Sequence, residues 1–182
     1  VNRGIIMGGS AGESPDGVAM CLGKNIIDAI KDRARKAASR VILPEGSDPR
    51  ILEAAVIAEA DGLAHTAVLG DEAQIRSAAK KARLDQSHLR IIDPRDLARY
   101  QELQASYALI RKRKGLSRVE AEREFENPIV LGAMMVKDGE MDGLVAGAIT
   151  TTGEVVSNAL RIIGKASDVE VISSCFLMVM PV

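Results

Sequence analysis

The sequence has no tryptophan and only four aromatic residues in 182, namely Tyr100, Tyr107, Phe125 and Phe176. A core without aromatic bulk has to be built from Ala, Val, Ile, Leu and the seven Met, which favours aliphatic helix-on-sheet packing over an aromatic-rich sandwich. Cysteine is equally scarce. Cys21 and Cys175 lie far apart and without metal-ligand spacing, which excludes a disulfide framework and a zinc site and fits a reducing cytosol. The two histidines, His65 and His88, each precede a predicted strand, with no Ser, Cys or Asp partner at a telling spacing, and read as structural. Excess charge is missing too: 24 basic against 25 acidic residues give a net charge of −1, so no global field would hold nucleic acid or an anionic membrane. The longest apolar run, Cys175 to Val182, is far too short to span a bilayer. Val1 to Cys21 has no continuous apolar segment and carries Glu13 and Asp16, unlike a secretory leader. The expectation from these absences is a cytoplasmic globular protein.

What is present is 47% hydrophobic residues in a chain long enough for one domain with a core. Residues 1–23 hold six Gly and no sustained apolar period, so residues 1–24 read as a flexible arm. A Val at position 1 offers a second reading, in which translation starts at Met7 or Met20. From Asn25 the chain alternates. A helix is expected over Asn25–Ala38, a strand at Val41–Leu43, and a helix over Arg50–Ala60 capped by Ser47 or Asp48 with Pro49 in its first turn. A strand at Thr66–Leu69, a helix at Glu72–Lys81 and a strand at Leu89–Ile92 follow. Strands alternating with helices imply a three-layer α/β/α fold with a mostly parallel sheet covered on both faces. Three helical stretches then run without a strand between them, Asp96–Lys114, Arg118–Glu126 and Pro128–Lys137. The sheet resumes at Leu144–Val145 and again over Val169–Met180, where the apolar run Val171–Val182 needs another half or another subunit to cover it.

The stretch Met141–Arg161 (MDGLVAGAITTTGEVVSNALR) joins a buried strand, through Gly147 and three threonines, to a helix. Thr151 and Glu154 have capping-box spacing, and N–H donors, hydroxyls and the positive helix end meet at one spot. Such a place suits a phosphate, although an ordinary capped helix gives the same pattern. Two readings also stand for the basic run Arg111–Lys114: favourable cations at a helix C-terminus, or a site for phosphates. Glu45-Gly46-Ser47-Asp48 follows the first strand at its carboxyl end, the edge where open α/β sheets bind ligands. Cys175 and the pairs Met134-Met135 and Met178, Met180 read as core.

Taken together, VILPEGSDPR at 41–50, IRKRKG at 110–115, VLGAMMVKDGEMDGLVAGA at 130–148 and SSCFLMVMP at 173–181 resemble phosphate acetyltransferase, also called phosphotransacetylase, over nearly all of Asn25–Val182. The resemblance implies two α/β domains around a cleft, like isocitrate dehydrogenase, of which residues 25–182 would be the first, cut at the crossover to the second. It implies a homodimer and reversible acetyl transfer between acetyl phosphate and coenzyme A. Coenzyme A is then a substrate, with no permanently bound cofactor, no metal and no nucleic-acid partner. Arg111 falls on the family's basic-helix arginine, and Gly147–Thr152 on its active-site loop, which makes Arg111, Thr150, Thr151 and Thr152 the candidate substrate-binding residues. Family members commonly have His then Ser or Thr in that loop. A second family arginine aligns with Ser157, and Arg161 is the nearest cation one turn further along. The catalytic base is expected in the C-terminal half and is assigned to no residue here. A chain of this length is expected to be weakly active or inactive alone. The alternative is a non-catalytic phosphotransacetylase-like domain that binds acetyl-CoA or mediates oligomerisation. On the anion-site reading, Arg111→Ala is expected to leave stability nearly unchanged.

Overall fold

The computed structural model describes residues 5–8, 26–166 and 170–172. Its order is β1 (Ile5–Gly8), α1 (Ile26–Ala37), β2 (Arg40–Leu43), α2 (Pro49–Ala60), β3 (His65–Leu69), α3 (Glu72–Lys81), a short 3₁₀ turn (Gln86–His88), β4 (Ile91–Ile92), α4 (Tyr100–Lys112), α5 (Arg118–Phe125), α6 (Pro128–Lys137), β5 (Gly143–Ala146) and α7 (Thr152–Ile162). The strands form one sheet in the order β1-β5-β2-β3-β4. Four of them are parallel, and β1 pairs antiparallel with β5, placing Ile5 opposite Ala146.

Both faces of the sheet are covered, which accounts for strands that are apolar without alternation. Leu43 and Val68 point to one side, where Leu52 and Ala55 of α2 and Ile75 and Ala79 of α3 pack on them. Ile42, Ala67, Leu69 and Leu144 point to the other, against Leu103 and Tyr107 of α4, Phe125 of α5 and the almost wholly buried α6. The few aromatics are concentrated there: Phe125 meets Tyr100 edge-on at 5.1 Å and Tyr107 at 5.7 Å. Helix starts follow the sequence signals. Asp48 caps α2 ahead of Pro49, and Asn127 caps α6 ahead of Pro128.

Three elements differ from the sequence expectation. Residues 5–8, expected within a flexible arm, add a strand at the sheet edge. The strand expected over Leu89–Ile92 shrinks to Ile91–Ile92, because Asp85 accepts from the Ser87 N–H and opens a turn that runs through His88. The helix expected from Asp96 starts at Tyr100. Asp93 accepts from the backbone and side chain of Arg95, and its carbonyl takes the Asp96 N–H, which holds 93–96 as a turn. The strand expected over Val169–Met180 lies mostly outside the described residues; 170–172 are described and form a bend. Cys21, Cys175, Met178 and Met180 also lie outside them. Among the described residues no helix is long and apolar enough to cross a membrane.

Candidate functional site

From β2 the chain steps to β3 and then β4 on one side, while β5 adds to the other side of β2. The direction of winding therefore reverses between β2 and β5. At such a switch point the loops leaving the carboxyl ends of two neighbouring strands diverge and open a crevice, the usual ligand position in open α/β sheets. Here those loops are 44–48 after β2 and 147–151 after β5.

Glu45 bridges these two loops. Its Oε2 accepts from the N–H groups of Gly147 (2.9 Å) and Ala148 (2.8 Å), and its Oε1 accepts from Ile149 (3.1 Å) and Thr150 (2.7 Å). Four successive amides wrapped on one carboxylate make an anion nest with an anion of the chain's own inside it. Glu45 is 4% exposed. Burial pushes its carboxyl up, but the Ala148, Thr150 and Ile149 amides and the Thr150 hydroxyl outweigh that and leave it below the ordinary range. Gly46 sets the approach: a Cβ there would run into the Leu69 carbonyl oxygen and lie 2.6 Å from Val68 Cγ1, so only glycine lets this loop sit against β3. A second link comes from Arg50, which donates to Asp48 and, at 3.1 Å, to the Ala148 carbonyl.

The three threonines stay together at the mouth. The Thr150 N–H belongs to Glu45, Thr151 caps α7 by accepting from the Glu154 N–H at 3.3 Å, and Thr152 opens the helix, with Thr151 and Thr152 exposed. The expected capping box is half formed, because the Glu154 side chain accepts from Asn127 Nδ2 instead of from the loop. Ile149, between the nest amides, turns an apolar side chain to the outside at 61% exposure.

Arg111 is held by a carboxylate of α5. It is 8% exposed, and its Nε and a terminal nitrogen donate to Glu124 of α5 at 2.8 and 3.1 Å. The fully buried Tyr107, one turn earlier on α4, donates its hydroxyl to the same carboxylate at 2.6 Å. Burial, followed by that bond, pushes the Tyr107 hydroxyl up to about 12. Burial also raises the Glu124 carboxyl, but Arg111 and Tyr107 bring it below its usual value. Arg161 of α7 reaches Glu124 at 3.9 Å and donates to the Ser157 hydroxyl at 3.2 Å. Arg161 and Arg111 thus converge on one carboxylate, at the level of Ser157. Ser157 is about 7.5 Å along the helix axis from Thr152 at the usual rise per residue. Arg111 is thus a buried partner of Glu124 and not an exposed cation at a helix end.

Sequence reasoning missed Glu124 and Tyr107. Tyr107 and Arg111 stand four apart on one face of α4, a visible signal, but nothing local announces that α5 brings a carboxylate to them. Among the described residues no three His, Cys, Asp or Glu side chains converge as metal ligands. A concavity of about 850 Å³ lies elsewhere, between α4 and α5 around Ala105, Ala108, Leu109 and Leu116.

Comparison with known proteins fits this geometry to a family. Residues 25–182 match the phosphate acetyl/butaryl transferase family model. The chain is 36% identical over 157 residues to the phosphate acetyltransferase of Thermoanaerobacterium thermosaccharolyticum, covering 86% of this chain and 47% of that protein. It is 39% identical over 153 residues to the phosphate acetyltransferase of Pseudomonas aeruginosa, covering 84% of this chain and 21% of that one. The EutD phosphotransacetylase from Staphylococcus aureus superposes with a TM-score of 0.71 at 34% identity, covering 80% of this chain and 44% of that chain. The chain thus spans about half the length, or less, of the curated relatives it matches. Sequence similarity and the shared fold show that this chain belongs to the phosphate acetyl/butaryl transferase family.

Proposed function

We propose that this chain is the part of a phosphate acetyltransferase that carries the first domain and one wall of the active site, acting in reversible transfer of acetyl between acetyl phosphate and coenzyme A. In that reaction the coenzyme A thiolate attacks the acetyl carbonyl carbon, the carbon–oxygen bond to phosphate breaks, and phosphate departs. The step needs a base for the thiol and cations or N–H donors for the leaving phosphate. The observation that carries the reading is the pair of linked loops at the switch point between β2 and β5. There Glu45 fixes the β5–α7 loop with the Thr150, Thr151 and Thr152 hydroxyls at its mouth. Arg50 of α2, which reaches the Ala148 carbonyl, and Arg161, further up α7, are the cations these two helices carry. Arg111 acts at one remove, by holding the Glu124 carboxylate that Arg161 faces. The base belongs to a part of such enzymes that this chain does not span. Coenzyme A enters as a substrate, no metal takes part, and the working form is a cytoplasmic homodimer without a nucleic-acid partner.

The test is titration of the isotope-labelled chain with coenzyme A, followed by its amide shifts, together with an assay of thioester formation from acetyl phosphate. Saturable binding with little or no turnover is expected, since general base assistance is worth about 10²- to 10⁴-fold. Turnover at the rate of a complete enzyme would show that the base lies within the chain. A second reading draws on Ser157, which stands where the resemblance puts a family arginine: a domain that binds acetyl-CoA without catalysis. Saturable acetyl-CoA binding with no transfer by the complete polypeptide would select it.

A further inference from the structure

The amides of Gly147, Ala148, Ile149 and Thr150 form the kind of N–H cluster that binds phosphate in other α/β proteins, and they sit at the ligand edge of the sheet. Yet all four donate to a side chain that is more than a hundred residues away in sequence and almost wholly buried. We propose that Glu45 is a positioning residue: its carboxylate permanently fills this nest, closes it to substrate phosphate, and holds the loop so that the threonine hydroxyls and Arg50 face the crevice.

Three features support it. All four N–H groups are taken, two by each carboxylate oxygen, so no donor of the nest is left for a competing anion. Delivery of the carboxylate is rigid, because Gly46 is pressed against the Leu69 carbonyl and Asp48 caps α2 immediately after. An intramolecular anion held this way has a high effective concentration, against which a dissolved phosphate competes poorly. Finally, Arg50 reaches from the first turn of α2, just past that loop, to the Ala148 carbonyl, so residues 45–50 grip the β5–α7 loop through its N–H groups and one of its carbonyls. Substrate phosphate is then left to side chains at the mouth. The inference rests on the proposed acyl-transfer function for what the loop serves, but the state of the nest is measurable without any turnover.

The experiment uses the full 182-residue chain and formate as the probe. In Glu45→Ala the nest is vacated, and formate should bind there, with saturable shifts of the 147–150 amides. Coenzyme A affinity should fall about tenfold, the value of one charge-assisted hydrogen bond, and return on adding formate. Glu45→Gln is nearly isosteric but turns N–H donors toward N–H donors; it should lose affinity similarly and resist formate rescue, because the side chain still fills the space. If Glu45→Ala does not fold, the wild type decides the matter: inorganic phosphate should leave the Glu45 δ-carbon resonance and the 147–150 amides unmoved. Displacement of that carbon resonance by phosphate, or 147–150 amides in Glu45→Ala that match the wild type and ignore formate, would overturn the proposal. Loss of coenzyme A binding in the wild type with an intact nest would instead refute the proposed function and leave the role of Glu45 in the loop standing.

Discussion

Replacing Arg111 by alanine separates a buried ion pair from a free basic-helix cation. The arginine is 8% exposed and donates twice to Glu124, and its aliphatic stem is buried with it. Hydrogen bonds to charged groups are worth about 1.5–3 kcal/mol each, which puts an upper bound of about 6 kcal/mol on the pair. That figure has to be discounted. The Glu124 side chain is 34% exposed, keeps the Tyr107 hydroxyl, and has Arg161 at 3.9 Å ready to close on it. A loss of about 2–3 kcal/mol remains. At about 2–4 °C per kcal/mol for a domain of this size, the melting temperature should drop by about 4–12 °C. Urea unfolding followed by far-ultraviolet circular dichroism measures it, a choice dictated by the absence of tryptophan. A double-mutant cycle with Glu124→Gln should show positive coupling. A loss below about 0.5 kcal/mol, in the range of an ordinary surface substitution, would refute the buried pair.

Three further outcomes follow from the same contacts. Gly46→Ala should cost about 2–4 kcal/mol by driving a methyl group into the Leu69 carbonyl and Val68, and should shift the 147–150 amides as Glu45 is pulled back; unfolding curves and amide spectra report both. Thr151→Ala should cost about 0.5–1 kcal/mol in urea unfolding, the low end for a cap because its bond to the Glu154 N–H is long at 3.3 Å, and should leave the Glu45 contacts in place. Acid should loosen the loop. The Glu45 carboxyl lies lower in the folded chain than its unfolded value of about 4.3, so its contribution is complete above that value and is lost as pH falls through the folded value. Protection of the 147–150 amides against exchange, taken relative to the intrinsic rate at each pH, should therefore fall as pH drops below the unfolded value, and Glu45→Gln should remove that dependence.

Much of the sheet was legible because its signals are local. An apolar run such as Val41–Leu43 between turn residues, or Asn127-Pro128 ahead of an apolar helix, carries its own instruction. The strand at Ile5–Gly8 was not legible, since a short edge strand among glycines depends on its neighbour β5 more than on its own composition. At the site, the loop and its cap at Thr151 could be read from spacing, and Glu45 could be suspected from its place after the first strand. What occupies the loop amides could not, because Glu45 and Gly147 are brought together only by the pairing of β2 with β5. The same holds for Arg111. A run of four basic residues ending a helix looks like an open cationic patch until α5 folds back and sets Glu124 beside one of them.

The central claim is that substrate binds at the crevice between β2 and β5. Titration of the labelled wild-type chain and of Arg161→Ala with coenzyme A tests it most directly. Saturable shifts over Thr151–Arg161 and at Arg50 in the wild type, weakened in Arg161→Ala, are the predicted result. The contradicting result is shifts confined to the α4–α5 groove around Ala105 and Leu116, or none at all.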